Sequence, residues 1–450
     1  MDAVEYLKSI GSVRETSSQV FQYACQHHGG NYFELELSAM DAVADYLCSI
    51  IERDYGSDYA AIPPHGRWQH LNYGSQPRVE TLIQDWTASG IDEIEIARKL
   101  IDLFVLSVLI DAGAGNVWQY TIPSSSNSED APAQRVGRSE GLAVASYYLF
   151  VDGKFSKDPT DPYRVEGSVL EQFTRAAFAD GFQISDSNPM DGFDGRLELL
   201  QRLGRALNAH PKIFGAEGRP GGLVDYLYTK TSHLESETQN SIDLQDIWNA
   251  LMTGLTSIWP AGRTVVNGEP LGDVWTLDTK AQASAEFPGQ GPKAPEIPTD
   301  IVTFHKLTQW LCYSLLVPLE RYGYQFSIKN KQLQTGLPEY RNGGLFYDFG
   351  VLKLKPDALA RGRQLSSHLQ KSTDLPTFEP QDGAIVEWRC LTIGLLDYLL
   401  PIVNDKLGYQ LSLPQLIEAG SWKAGREIAA ELRPDSKGPP IELHSDGTVF

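Results

Sequence analysis

The chain has 450 residues, 42% of them hydrophobic and 10% aromatic, which is enough apolar material for a sizeable core. Its 38 Lys and Arg against 58 Asp and Glu leave a formal net charge of −20. Such a surface repels phosphate backbones and no Lys/Arg cluster relieves it, so nucleic-acid binding is not expected. The cysteines Cys25, Cys48, Cys312 and Cys390 are far apart and form no CxxC pair, which argues for reduced, mostly buried thiols rather than a disulfide framework or a zinc site.

In chain order, Met1-Asp-Ala-Val-Glu5 is neither basic nor followed by a long apolar run, so no secretory signal is expected. A first helix is predicted from Ser12 to about His28, stopped by Gly29-Gly30. A second starts at Ser38 as N-cap and carries Met40, Val43, Leu47, Ile50 and Ile51 on one side. The segment Ile91 to Asp111 becomes apolar on all faces, as a central helix does. Its greasiest part, Leu100 to Ile110, is too short to span a bilayer and contains Asp102. Further helices are predicted over Glu140–Val151, Glu166–Ala179, Arg196–Ala209, Leu244–Ser257, Phe304–Arg321, Trp388–Lys406 and Leu413–Leu432. Arg263–Val266 and Asp273–Leu277 flank Asn267-Gly-Glu-Pro270 and are predicted to pair as a hairpin. Ile441 to Phe450 reads as extended or loose. Ser124–Pro132 and Ala281–Pro298 read as long surface loops, because neither separates regions of different composition. There is no internal repeat. The expectation is a cytoplasmic, mainly α protein: one large helical domain over residues 1–450 with a minor β-hairpin.

No GxSxG elbow, HExxH, Walker loop or GxGxxG occurs. Asp111-Ala-Gly-Ala-Gly-Asn116 is glycine-rich but follows a helix, where a dinucleotide fold requires a strand. The nine histidines do not fall at helical ligand spacing, so no metal site is expected.

The informative residues are polar groups in apolar or tightly turned surroundings. In Pro63-Pro-His-Gly-Arg-Trp-Gln-His70, the residues His65, Arg67 and His70 converge; the loop can hold an anion or serve as a Trp-anchored connector. Asp111 ends a greasy helix, and Asn116, Trp118 and Tyr120 follow glycines that let a ligand approach backbone; helix capping is the plainer reading. In Arg138-Ser-Glu-Gly141, Ser139 reads as an N-cap and Glu140 suits the positive helix end. Pro338-Glu-Tyr-Arg-Asn-Gly-Gly344 is the most suggestive segment. Glu339 beside Arg341 reads either as a functional carboxylate held charged by a guanidinium or as a surface ion pair at a flexible turn, and Asp348 breaks the apolar stretch that follows. Glu387-Trp-Arg389 opens an apolar helix; Glu there suits the dipole, whereas Arg opposes it and reads as reaching a carboxylate or phosphate.

Several of these segments resemble a known family. HGRW at His65–Trp68, DAGAGNVW at Asp111–Trp118, RSEGLAVAS at Arg138–Ser146 and FDGR at Phe193–Arg196 are similar to motifs of the uracil catabolism protein four family, found in fungi and bacteria. So are RPGGL at Arg219–Leu223, FHKLTQWL at Phe304–Leu311, LPEYRNGG at Leu337–Gly344 and EWR at Glu387–Arg389. Gly66 stands where many members carry serine. The resemblance implies a place in uracil degradation through ribosylated intermediates to urea, with a functional link to a ring-opening enzyme like GTP cyclohydrolase II.

From about residue 304 to 400 the chain also resembles queuosine-nucleotide hydrolases, whose fold is similar to that of helical DNA glycosylases. Phe304-His305-Lys306 lies in a comparable helix with a lysine at the matching place. Glu339-Tyr-Arg341 resembles their Asp-Tyr-Arg, with a carboxylate one methylene longer. Gly350 and Leu352 also match, and Val386-Glu-Trp-Arg-Cys390 is similar to their Val-Glu-Ile-Arg-Gly-Cys. This resemblance implies hydrolysis of a ribosyl C–N bond, converting a ribosylurea, as its 5′-phosphate, to urea and ribose phosphate. Glu339, Lys306 and Arg341 would be the catalytic group. Asp111, Asn116, Trp118, His305, Asp348, Glu387, Arg389, His65, Arg67 and Arg138 would bind substrate, with no metal or organic cofactor required. The alternatives are a metal-dependent amidohydrolase or deaminase acting on the opened pyrimidine, and a non-catalytic partner of the ring-opening enzyme.

Overall fold

The computed structural model describes residues 2–111, 113–115, 117–123, 134–231, 240–259, 263–288, 297–371 and 374–444. The chain is mainly helical, and one continuous apolar core runs through it from Ile10 to Ile441. Among the described residues no helix is long and apolar enough to cross a membrane. The predicted loop Ser124–Pro132 lies outside the described residues.

The predicted central helix is Glu93–Leu109. Asp92 caps it by accepting the N–H of Ile94 and Glu95, each at 3.0 Å, and its second half is buried all round. The one acid in that stretch, Asp102, accepts Arg219 Nε at 2.5 Å and Gly221 N–H at 2.7 Å. Burial pushes the Asp102 carboxyl up to about 6 against the pull of that arginine. The RPGGL segment therefore serves the fold, by neutralising a carboxylate inside the core.

Lys306–Arg321 packs along this central helix. The longest helix, Gly383–Leu407, lies on Ile10–His27 and Met40–Tyr55, and it also touches Tyr340–Asp348. It starts five residues earlier than the apolar pattern suggests, because Asp382 caps it through Ala384 N–H at 2.8 Å. Glu387 is thus a turn inside the helix and not in its first turn. Likewise the second helix is capped at Ala39, after a short 3-10 turn Leu37–Ala39 that contains Ser38. Glu166–Ala179 divides into Gly167–Glu171 and Arg175–Gly181, with Thr174 capping the second piece. Asp278–Glu286 is helical where a loop was expected, and Arg78–Ala88 and Pro356–His368 are helices not among those predicted from the sequence.

The strands form two-stranded pairs. Asn267 and Gly268 both take positive φ, 51° and 82°, the geometry of a tight turn that joins adjacent residues. It closes Val265–Val266 onto Glu269–Pro270, which leaves Val274–Thr276 to pair with Ile301–Thr303. The wider hairpin predicted from the sequence is not formed. Glu442–Leu443 runs parallel to Thr377–Phe378 and brings the C-terminal segment back onto the body.

The Leu413–Leu432 helix is interrupted by one π turn, Ile417–Ser421, before it resumes as Trp422–Leu432. Its second part packs on Tyr340–Asp348 so closely that a β-carbon on Gly425 would stand 2.1 Å from the Arg341 carbonyl oxygen. Gly425→Ala is expected to destabilise the protein by about 1–3 kcal/mol through overpacking, read as a lower midpoint in urea unfolding.

Candidate active site

A cavity of about 470 Å³ opens where the N-terminal ends of Lys306–Arg321 and Tyr340–Asp348 meet the end of the central helix. Glu339 is the N-cap of its helix, and its carboxylate accepts the N–H of Arg341 at 2.8 Å and of Asn342 at 2.6 Å. A buried carboxylate is thereby fixed at the positive end of a helix. Burial raises its pKa, while those two N–H groups, Lys306 and Arg341 pull the other way. The Asn-Gly-Gly after it is not a flexible turn. Asn342 also donates to Leu337 O at 3.1 Å and accepts Ser421 Oγ at 2.7 Å. Gly343 lies where a β-carbon would come within 2.8 Å of Trp388.

Lys306 is the first residue of its helix and lines the same cavity. Among the described residues no carboxylate lies within 4 Å of its ammonium. Burial lowers its pKa, and Asp111 and Glu339 partly restore it. The cavity thus holds a buried carboxylate and a buried ammonium that are not neutralised by contact with each other.

Behind both stands one ion pair. Arg389 donates both Nη groups to Asp273 at 2.7 Å, and its Nε reaches Pro338 O at 3.4 Å. Asp273 in turn accepts Lys306 N–H at 2.9 Å and Trp275 Nε1–H at 2.6 Å. Arg389 therefore ties the backbone just before Glu339 to the backbone of Lys306. The expectation of an arginine reaching a carboxylate or phosphate resolves to the carboxylate of Asp273.

The other wall is built on Asp111. It accepts Arg67 Nη1 at 2.7 Å, Ser139 Oγ at 2.7 Å and Trp310 Nε1–H at 3.1 Å. Ser139 is not the helix N-cap: Arg138–Val151 begins after Gly137, and the serine hydroxyl serves Asp111. Arg67 is fully buried and also donates to Ser107, through Nε to the hydroxyl at 2.8 Å and through Nη2 to the carbonyl at 2.9 Å. Its charge is directed inward, so it does not make the loop an anion site. His65 pairs through Nδ1 with Glu418 Oε2 at 2.6 Å, a residue of the π turn; such turns recur at functional sites. Arg138 lines the cavity while its guanidinium donates to the carbonyls of Lys437 and Ser436 at 2.6 and 2.7 Å.

Of the residues singled out from the sequence, His65, His70, Asp111, Arg138, Ser139, Lys306 and Glu339 meet at the cavity, and Arg67 stands directly behind it. Arg341 gives Glu339 its backbone N–H; its guanidinium lies 5.2 Å over Trp422, with no ion pair to Glu339 among the described contacts. The remainder are placed elsewhere. Glu387 accepts the N–H of Asn31 at 2.8 Å, Tyr32 at 3.0 Å and Phe33 at 2.8 Å, and the Thr279 hydroxyl. It pins the Gly30 turn and has no lone pair left for substrate. Asp348 pairs with Arg433 at 2.6 Å, His305 is bonded to Leu7 O at 2.7 Å, and Trp118 donates to Phe182 O at 2.8 Å inside the core. Asn116 lies outside the described residues.

Sequence reasoning missed Trp310, Trp422 and Asp191 in the wall, and the segment Pro439–His444 at its rim. Trp310 lies inside the FHKLTQWL motif, where the lysine is the residue that stands out as chemistry. Asp191 immediately precedes the Gly192-Phe193 start of FDGR, whose Arg196 donates to the carbonyls of Ile110, Asp191 and Gly113 at 2.9, 2.9 and 3.1 Å. That arginine laces the end of the central helix to the Asp191 turn. Trp422 and the C-terminal rim arrive by tertiary packing alone and leave no local signal. Among the described residues no group of three or more His, Cys, Asp or Glu side chains is placed to hold a metal.

A family described as a protein of unknown function (DUF1688) matches residues 6–450. The chain is 64% identical, over 99% of both sequences, to "Uracil catabolism protein 4" of Lachancea kluyveri. It is 39% identical to "Protein urg3" of Schizosaccharomyces pombe, over 100% of this chain and 99% of that one.

Proposed function

The chain belongs to the uracil catabolism protein 4 family, and from that premise we propose that it acts in pyrimidine breakdown by hydrolysing the ribosyl C–N bond of a ribosylurea-type intermediate. The products are urea and ribose, or ribose phosphate when the substrate carries a 5′-phosphate. The observation that carries this reading is the buried Glu339 carboxylate, fixed by two backbone N–H groups on a cavity that also holds the Lys306 ammonium. Cleavage of a ribosyl C–N bond builds positive charge on C1′ and the ring oxygen, and a fixed carboxylate in a poorly solvated site lowers that barrier. Water supplies OH to C1′ and its proton to the departing nitrogen; Glu339 stabilises the cationic sugar and takes up the proton of the attacking water before it passes to that nitrogen.

Asp111 is held by Arg67, Ser139 and Trp310, the arginine and the indole both on Oδ2, so its first part is to hold the wall. Asp191 lines the cavity as well and suits the ribose hydroxyls, as a carboxylate acceptor. Lys306 supplies the positive charge that keeps Glu339 ionised and attracts an anionic substrate.

The test is to incubate chelator-treated protein with ribosylurea and with its 5′-phosphate and to follow free urea by mass spectrometry. Urea from either compound supports the hydrolase. No urea from a folded protein overturns it, and activity that returns only with added divalent metal favours an amidohydrolase instead.

A further inference from the structure

The hydrolase reading leaves one demand unmet: urea is a poor leaving group, and some donor must stabilise the electrons that depart with it. His70 is the residue of the cavity wall with a ring nitrogen to spare. It lies on the short helix Arg67–Leu71, is 4% exposed and lines the cavity. Its Nδ1 faces Arg67 Nη1 at 3.2 Å and Ser139 Oγ at 3.3 Å, a hydroxyl whose own proton goes to Asp111. A guanidinium has donors only, so the contact favours an accepting Nδ1 with the ring proton on Nε2. A second proton would set Nδ1–H against a buried cation; burial, Arg67 and His65 keep the imidazole neutral. Nε2, on the opposite edge of the ring, is buried and has no hydrogen-bond partner among the described residues. Buried donors are rarely left without an acceptor. Around the imidazole stand the rings of Trp422, Trp310 and His65, with centroids 5.0, 5.4 and 5.9 Å from its own. An uncharged donor among aromatic faces suits a neutral, planar acceptor better than an anion.

Resting on that reading, we propose that His70 Nε2–H donates a hydrogen bond to the carbonyl oxygen of the ureido group, against the faces of Trp310 and Trp422. As the C1′–N bond breaks, its electron pair passes to the nitrogen and delocalises onto that oxygen, and the hydrogen bond strengthens. His70 keeps its proton throughout; the nitrogen is protonated by the proton released from water. A neutral imidazole can act as such an electrophile because its neighbours hold it uncharged.

The experiment compares wild type, His70→Gln and His70→Phe, each with and without Glu339→Gln, using ribosylurea and its 5′-phosphate as the probes. Binding to the Glu339→Gln proteins is measured by calorimetry, and kcat and KM by urea release. His70→Phe is expected to weaken binding about tenfold or less and to lower kcat by about 10²-fold or more. His70→Gln, which keeps an N–H near the same place, is expected to recover most of both. Nitrogen-15 NMR of the wild type at neutral pH is expected to show the Nε2–H tautomer, with a resonance that moves when ribosylurea is added. This readout stands even where His70→Phe fails to fold. Unchanged binding and turnover in His70→Phe, or an Nδ1–H tautomer, overturns the assignment and leaves the hydrolase. A His70 resonance that moves with either compound while neither is cleaved overturns the hydrolase and leaves the recognition. No binding and no cleavage of either compound overturns both.

Discussion

Glu339→Gln is expected to lower urea release from ribosylurea by at least about 10³-fold, while ribosylurea still binds. The substitution is nearly isosteric, so one amide oxygen still accepts at the helix N-terminus. What disappears is the negative charge that answers the cationic sugar and the base that accepts the water proton. Stability should barely follow activity. Burial raises the folded pKa of Glu339 above its unfolded value. A group raised in this way contributes stability below its unfolded pKa of about 4.3 and loses it as pH rises through the folded pKa. At neutral pH the ionised carboxylate is thus a burden on the fold, which Gln removes at the expense of one weaker cap bond. The variant should match wild type in urea unfolding within about 1 kcal/mol. The same pKa direction fixes the pH profile. The acid limb of kcat/KM should lie above the ordinary carboxylate range, because Glu339 must be ionised to act, and no such limb should remain in Glu339→Gln. A variant that hydrolyses ribosylurea at the wild-type rate would remove Glu339 from the reaction altogether.

The elements most legible in the sequence were those whose cause is local. The apolar second half of the Ile91–Asp111 segment and Gly29-Gly30 after the first helix are signals a single helix carries in its own residues. The carboxylate of Glu339 stood out in the sequence because it lies two residues from Arg341, next to what read as a flexible turn; the structure makes it the N-cap of a helix instead. Misreadings came where a charged residue answers a distant partner. Glu387 looked like first-turn dipole chemistry but binds the N–H groups of a turn about 355 residues away. Arg67 looked like part of an anion loop but is consumed by Asp111 and Ser107, from another helix. Period and spacing report which face of an element is apolar, and they contain nothing about which other element will meet a given charge. The same limit hid Trp422, whose place depends on the packing of Trp422–Leu432 against Tyr340–Asp348, and the C-terminal rim, which the pairing of Glu442–Leu443 with Thr377–Phe378 brings back.

The Asp273–Arg389 pair is where stability and the site meet, and breaking it should have the largest effect on the fold. Arg389→Met is expected to cost about 3–5 kcal/mol, since it leaves a buried carboxylate with no counter-charge. Asp273→Ala should cost a similar amount, by orphaning the guanidinium along with the Lys306 and Trp275 N–H groups. The double variant is expected to be less unstable than the sum of the two, because no isolated charge remains, yet it should not reach wild type while those N–H groups lack an acceptor. Urea unfolding of the four proteins gives the coupling. Burial alone would raise the Asp273 pKa, but Arg389 and the N–H groups of Lys306 and Trp275 overcome it and hold the carboxyl below its ordinary range. Because the folded pKa is lowered, the stability it confers is present above the unfolded value of about 3.9 and is lost as pH falls through the folded one. The gap between wild type and Asp273→Ala should therefore be full at pH 7 and should narrow only below about pH 4. Arg389→Lys separates the pair's two roles. It keeps the charge but not the two-pronged bond or the Nε contact to Pro338. It should retain much of the stability while loosening the registration of Glu339 against Lys306, so kcat should fall further than the unfolding midpoint suggests. Equal losses in both would reduce Arg389 to a structural residue with no part in positioning the carboxylate.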